Sequence, residues 1–231
     1  MREICLDTET TGLDPKQGHK IIEIACIELN NRVKTKNHFH CYVNPRREVP
    51  QEAFAIHGIS SEFLQDKPIF DHVAQKFLDF VQDSKIVIHN ASFDTKFLNY
   101  ELQLIGLPPL KKENIIDSLT LARRKFPGAP ASLDALCKRY GIDLSKRTLH
   151  GALLDTELLC DVYIELMGGA QEGFRFNSSN GNSKQHLDSD NISNLSNKER
   201  KITKQIKPSE KDIENHKKFI LDNFKENLWG Y

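Results

Sequence analysis

An apolar run that ends in acids constrains this chain more than any other feature. In "ICLDTETTGLD", residues Ile4 to Asp14, a strand-like pattern runs straight into Asp7 and Glu9. Residues i and i+2 of a strand share a face. The two carboxylates therefore point the same way, a few ångströms apart, next to residues that demand burial. Two anions so placed repel each other and lose hydration. Either they lie exposed at a strand–turn junction, with Thr10, Thr11 and Gly12 as turn residues, or a cation holds them together. The choice turns on whether the chain supplies further ligands.

Alternation of period 2 and period 3.6 runs through the first ~167 residues. Strands are expected at Glu3–Asp7, Lys20–Leu29, Phe39–Val43 and Lys85–His89. The first three follow one another closely, as in an antiparallel meander. A helix is expected over Phe70–Val81, where Phe70, Val73, Ala74, Phe77, Leu78 and Val81 form one stripe. "FDTKFLNYELQLIG" reads as a helix closed by Gly106 and stopped by Pro108. "SLDALCKRYG" reads as another, capped by Ser132. "GALLDTELLCDVYIELMGG" is the last and longest. Strands first, then strand–helix alternation, imply an α/β domain with a mixed sheet flanked by helices.

Composition bounds the rest. The chain has 231 residues, 39% hydrophobic, enough for one good-sized domain plus extra segments. No apolar run approaches the ~20 residues that span a membrane. "MREICLD" lacks the basic-then-apolar pattern of a signal peptide, so a cytoplasmic protein is expected. Five scattered cysteines, with no C-x-x-C pair, argue for reduced core residues rather than disulfides or zinc. The 32 basic and 32 acidic residues cancel. Bulk charge thus provides no basic footprint for nucleic acid, although a bound metal supplies positive charge locally.

Composition shifts after Gly169. Residues 177–208 hold no aromatic side chain and are crowded with Asn and Ser, as in a flexible linker. Beyond it, Ser209 and Asp212 form a variant capping box. Ile213, Ile220, Phe224 and Leu228 then fall on one helical stripe. Three segments are expected: a domain over 1–169, a linker over 170–208, and a short C-terminal amphipathic helix within 209–231. The tail serves either as a docking segment for a partner or as a lid on its own domain.

Further carboxylates do occur. In "VIHNASFD" a strand ends at His89 and Asp94 stands at a helix start. In "LHGALLDTE" His150 and Asp155 head the last helix. Each has an ordinary reading: a helix N-terminus favours Asp, and His and Asn suit turns. Taken together, Asp7, Glu9, Asp94 and Asp155 would be costly in one place without a metal. Oxygen ligands suit Mg²⁺ or Mn²⁺. Two such ions ~3.5–4 Å apart promote in-line displacement at phosphorus. A neutral histidine such as His150 can take the proton of an attacking water. Spacing alone does not bring the segments together in space.

"LDTETTG", "HNASFD" and "HGALLDT" resemble the three exonuclease motifs of the DEDDh family of 3′–5′ exonucleases, in order and with an H-x4-D in the third. The resemblance covers about residues 2 to 167. "PQEAFAIHGIS", "QGHKIIEIACIEL", "SLDALCKRY" and "SKRTLHGALLDT" are similar to the epsilon branch of that family, the proofreading exonucleases of bacterial DNA polymerase III. The resemblance implies an RNase H-like fold and two divalent metals. Asp7, Glu9 and Asp155 would be direct ligands, Asp94 would hold the second metal partly through water, and His150 would be the general base. Glu52 and His57 would contact the 3′-terminal nucleotide, with His89, Asn90 and Phe93 lining the same groove. Core packing is the expectation for at least one of Phe54 and Ile56.

The resemblance also implies partners: the DNA 3′ end, and the polymerase alpha subunit through Ile213, Ile220, Phe224, Leu228 and Trp229. "QEGFRF" resembles a clamp-binding peptide, with Gln171, Phe174 and Phe176 as anchors, and weighs equally with a plain linker start. A small third core subunit stays open. Two rival functions are an RNA-trimming DEDDh exonuclease, which has no evident need of the tail, and a catalytically silent replisome adaptor, which gains nothing from clustered acids.

Overall fold

The computed structural model describes residues 1–145, 147, 149–169 and 209–223. Strand β1 (Arg2–Thr10) is its axis. It pairs antiparallel with β2 (Ile21–Asn30), which pairs antiparallel with β3 (Val33–Tyr42). These strands form the expected meander. On its other side β1 pairs in parallel with β4 (Lys85–Ile88). A fifth strand, β5 (Ile115–Asp117), extends the sheet in parallel, giving the order β3-β2-β1-β4-β5. β5 has no counterpart among the expected strands; three residues are too few for a period to register.

Helices α1 (Gln51–His57), α2 (Ser61–Leu64) and α3 (Phe70–Val81) lie between β3 and β4. α3 has the expected bounds, and its apolar stripe is buried except for the partly buried Leu78. α4 (Ala91–Leu104) precedes β5, and α5 (Ser118–Lys125) follows it. α4 ends as the glycine signal implies: Gly106 takes φ +73°, and Leu107 N–H donates to the Leu102 carbonyl at 2.9 Å. α6 (Leu133–Tyr140) is capped by Ser132, whose Oγ accepts from Ala135 N–H. α7 (Ala152–Leu166) packs across β1 and β2.

Alternation along β1 sorts its side chains between two layers. Ile4 and Leu6 join Phe77 of α3 and Phe97 of α4 in one core. Cys5 faces the other way, with Val87, Leu159, Cys160 and Tyr163. All five cysteines are free, and only Cys41 is not fully buried. No helix among the described residues is long and apolar enough to cross a membrane.

The chain divides into two units, residues 1–176 and 177–231. In the second, helix α8 (Glu210–Asn223) starts at the expected capping box. Ser209 Oγ donates to Asp212 Oδ2 at 2.6 Å, and Asp212 N–H donates back to Ser209 Oγ at 3.3 Å. Ile213, on the stripe, is exposed. The rest of the linker, the peptide anchors Gln171, Phe174 and Phe176, the side chain of Ile220, and Phe224, Leu228 and Trp229 lie outside the described residues.

Candidate active site

The alternation that divides the core also builds the site. At the C-terminal end of β1, Thr8 follows Leu6 towards α4, and Asp7 and Glu9 follow Cys5 towards α7. Thr8 holds Asp94 in the first turn of α4. Its Oγ1 donates to Asp94 Oδ1 at 2.7 Å and its backbone N–H donates to the same oxygen at 3.1 Å. Asp155 sits in the first turn of α7 and is buried. Glu9, His150 and Asp155 present ligand atoms all within 4.8 Å of one another. Three segments far apart in sequence therefore meet.

The electrostatics of the meeting are unfavourable for bare carboxylates. Burial first, and then Asp94, Glu9, Asp155 and Glu23, push the Asp7 carboxyl well above its usual range. Burial, with Asp155, Glu23 and Asp94 next, raises Glu9 to about 8, against a smaller pull from Arg147. Burial raises Asp94 to about 7, although both hydrogen bonds from Thr8 oppose it. Acids buried and crowded in this way form a strong site for a hard cation, because a cation removes burial cost and repulsion together. The all-oxygen donor set beside one imidazole fits a divalent ion of the Mg²⁺ or Mn²⁺ kind.

His150 reaches this cluster because its segment is tied to α1. His150 N–H donates to the Ile56 carbonyl at 3.1 Å. Gly58, just past α1 at φ +70°, leaves room for Leu149; a Cβ there would lie 2.7 Å from Leu149 Cδ1. The His57 side chain is buried, and its Nδ1 accepts from Ile59 N–H at 3.0 Å. Its Nε2 then carries the proton, and that buried nitrogen has no hydrogen-bond partner among the described residues. An orphaned buried donor invites an acceptor from a ligand. Burial, chiefly, lowers the pKa of His57, which keeps the ring neutral.

The other expected contacts are placed less tightly. Glu52 is exposed on α1 and Asn90 is exposed at φ +67° before α4. His89 Nδ1 lies 2.9 Å from Ser118 Oγ, and Phe93 packs at 5.2 Å on Phe97. The core expectation for Phe54 and Ile56 is overturned: they are 37% and 53% exposed. α1 is a single short helix that buries Ala53 and His57, four residues apart on one face, and so turns Phe54 and Ile56 away from the interior.

Sequence reasoning missed three groups. Glu23 is buried in β2; its Oε2 accepts from Ala152 N–H at 3.0 Å and its Oε1 lies 2.7 Å from His40 Nε2. It thereby pins the start of α7. An acid flanked by isoleucines in "IIEI" was the signal. Asp117 accepts from Asn90, Ala91 and Leu119 backbone N–H groups and from the Thr120 hydroxyl. It fixes the starts of α4 and α5 together. Arg147, inside the quoted "SKRTLHGALLDT", grips Asp155 with both arms of its guanidinium: Nε to Oδ1 at 2.6 Å and Nη2 to Oδ2 at 2.7 Å.

A five-stranded mixed sheet whose central strand ends in crowded acids, met by acids from two helix starts and by a histidine, is the architecture of a metal-dependent exonuclease. The exonuclease family typified by RNase T matches residues 4–163. The chain belongs to that family. It is 52% identical over 229 residues to the DNA polymerase III subunit epsilon of Rickettsia typhi, covering 95% of this chain and 96% of the relative. It is 51% identical over 175 residues to that of Escherichia coli, covering 73% and 72%. Among solved structures, Exonuclease X in complex with 5′-overhanging duplex DNA superposes with a TM-score of 0.56 at 30% identity, covering 71% of this chain and 90% of that one. The nuclease domain of 3′hExo, a DEDDh family member, bound to rAMP, has the same fold, with a TM-score of 0.62 at 22% identity, covering 72% of this chain and 91% of that one. The resemblance drawn from the three motifs is borne out.

Proposed function

We infer that this chain is the 3′–5′ proofreading exonuclease subunit of a DNA polymerase III, hydrolysing the terminal phosphodiester at a mispaired DNA 3′ end. The observation that carries the reading is the convergence of Asp7, Glu9, Asp94, Asp155 and His150 at the end of β1. The similarity to epsilon subunits along 95% of the chain supports the polymerase setting. A cytoplasmic setting goes with it.

Asp7, Glu9, Asp94 and Asp155 would hold two divalent cations, Mg²⁺ or Mn²⁺. When bound, such a pair lowers the pKa of water and stabilises the leaving oxygen at phosphorus. His150 takes the proton of the attacking water. Its place beside Asp155 and its attachment to α1 keep it at the reacting end. The orphaned Nε2–H of His57 donates to the terminal nucleotide, next to Glu52. His89, Asn90 and Phe93 line the groove for the following bases. An aromatic ring such as Phe93 suits stacking on an unpaired base, worth roughly 1–3 kcal/mol. A frayed end has already lost pairing and stacking, so less free energy is needed to bring it to the acids.

The purified chain, assayed on mispaired primer, matched primer and RNA with and without EDTA, tests the reading. Expected is metal-dependent release of 5′-mononucleotides, fastest from single-stranded or mispaired DNA. Undiminished cleavage in excess EDTA, or a preference for RNA, overturns it.

Partner contacts follow from the segments after residue 169. The tail residues Ile213, Ile220, Phe224, Leu228 and Trp229 dock on the polymerase alpha subunit, and Gln171, Phe174 and Phe176 engage the sliding clamp. The 170–208 segment then keeps the exonuclease at high effective concentration near the primer end. A fragment of residues 1–169 holds every proposed catalytic residue. It should degrade oligonucleotides as the full chain does and lose polymerase affinity. Retained affinity with a Tm several degrees lower would make the tail a lid.

A further inference from the structure

Arg147 occupies the site in a way the reaction cannot keep. Its side chain is only 10% exposed, and it makes four contacts there. Nε and Nη2 take both oxygens of Asp155 at 2.6 and 2.7 Å. Nη1 donates to Asp134 Oδ1 at 2.6 Å. Nη2 also lies 2.9 Å from His150 Nδ1. Arginine only donates. His150 Nδ1 is therefore the acceptor, and a proton on it would face the guanidinium. The 3.3 Å approach of that nitrogen to Asp155 Oδ2 is then a contact of two acceptors bridged by one guanidinium arm. A neutral His150 in this arrangement carries its proton on Nε2 and has its lone pair taken.

The same guanidinium thus engages the two groups that the proposed mechanism needs free. Asp155, 4% exposed, cannot turn both oxygens to a divalent cation while a bidentate fork holds them. A fixed positive charge on the same carboxylate also repels that cation. We infer that Arg147 is a displaceable latch, which holds Asp155 and the basic nitrogen of His150 and competes with the divalent cation for Asp155. When the cation wins, the fork releases His150 in the same movement, so loading the metal and freeing the base are coupled. Asp134, on α6, keeps one arm of the arginine and gives it a place to swing to.

The latch rests on the reading of Asp155 as a cation ligand, and its test separates the two. Mn²⁺ alone is titrated into the full-length protein and into Arg147→Gln and Arg147→Lys, followed by the electron paramagnetic resonance of free Mn²⁺. A latch that holds Asp155 nine-tenths of the time weakens apparent affinity about tenfold. Arg147→Gln should therefore bind Mn²⁺ about tenfold tighter with unchanged stoichiometry. Arg147→Lys, which keeps the charge and loses the fork, should also bind tighter. Lys at wild-type affinity means only the field of the charge matters and overturns the latch. Weaker binding in either variant makes Arg147 a support for Asp155 and overturns it too. A wild-type protein that binds no Mn²⁺ overturns the metal reading and the latch together.

A readout on the unaltered protein covers the case of a variant that does not fold. The Arg147 Nε–H resonance should be protected from solvent exchange in EDTA and lose that protection as Mg²⁺ saturates. Protection retained at saturation overturns the latch.

Discussion

The domain buries carboxylates in two contrasting ways. Glu101 of α4 and Glu3 of β1 are each given donors. Glu101 accepts from Lys20 Nζ at 3.1 Å and from the Ile21 backbone N–H at 3.0 Å. Glu3 accepts from the Tyr163 hydroxyl at 2.7 Å. The acids at the end of β1 are instead given one another. Asp7 and Glu9 are raised by burial and by a surplus of like charge from Asp94, Asp155 and Glu23, a surplus that Thr8 on Asp94 and Arg147 on Asp155 offset only in part. Paired acids tie elements together: Glu101 ties α4 to β2, and Glu3 ties β1 to α7. Crowded acids oppose folding by themselves, so their presence marks a site that works with a partner cation. The same strand carries both kinds, six residues apart, because one end of it is closed by α7 and the other opens at the helix starts.

This contrast can be broken most sharply by catalysis. Asp7→Ala should reduce turnover by roughly 10⁴-fold or more, as when one member of a catalytic unit is removed. Its Tm in EDTA should not fall below wild type, because a repelling charge is gone. Lost activity accompanied by a large loss of stability would place Asp7 with the structural acids.

His150→Ala should lower kcat by about 10²–10⁴-fold, the range of general-base catalysis, with little change in KM. Near-normal kcat would remove His150 from the proton transfer.

Glu101→Ala should act in the opposite sense. It leaves the buried Ile21 N–H without a partner, at a cost of roughly 1–3 kcal/mol. That corresponds to several degrees in Tm for a domain of this size. The kcat measured well below the transition should change little. Thermal melting and steady-state kinetics on the same preparation check both parts.

The smallest effect is on pH dependence. Glu9 and Asp94 have folded pKa values raised to about 8 and about 7, above ordinary carboxylates. The native state then binds more protons than the unfolded chain between about pH 4 and pH 8, so stability from these groups falls as pH rises through that window. In EDTA the wild-type Tm should decline from pH 6 to pH 8, and Asp94→Asn should flatten the slope. Saturating Mg²⁺ should also flatten it. A Tm that rises over this interval in EDTA would mean the acids are not crowded in solution.

Much of this was legible in the chain. α3 lies where its stripe puts it, and Ser132, Gly106 and the Ser209–Asp212 box act at the helix ends where their chemistry predicts. Period and capping are local signals, and each needs only a few neighbouring residues. β1 extends beyond its expected end at Asp7 to Thr10, because polar residues at a strand end break the apolar pattern without breaking the hydrogen-bond ladder. The exposure of Phe54 and Ile56 was not legible, since a two-turn helix has too few residues for its buried face to be read from composition.

The sequence by itself determined which residues are the candidates for the chemistry. Three short segments placed Asp7 and Glu9 on one strand face, Asp94 at a helix start, and His150 five residues before Asp155. These are consequences of residue type and backbone period. Tertiary structure alone decided that they meet, and what else meets them. Glu23 at the start of α7, Asp117 beneath two helix starts, and the Arg147 fork on Asp155 all join residues by contact across the sheet or around a loop. No local period encodes such a contact, because it depends on the packing of α7 across β1 and β2 and on the path of the chain before His150.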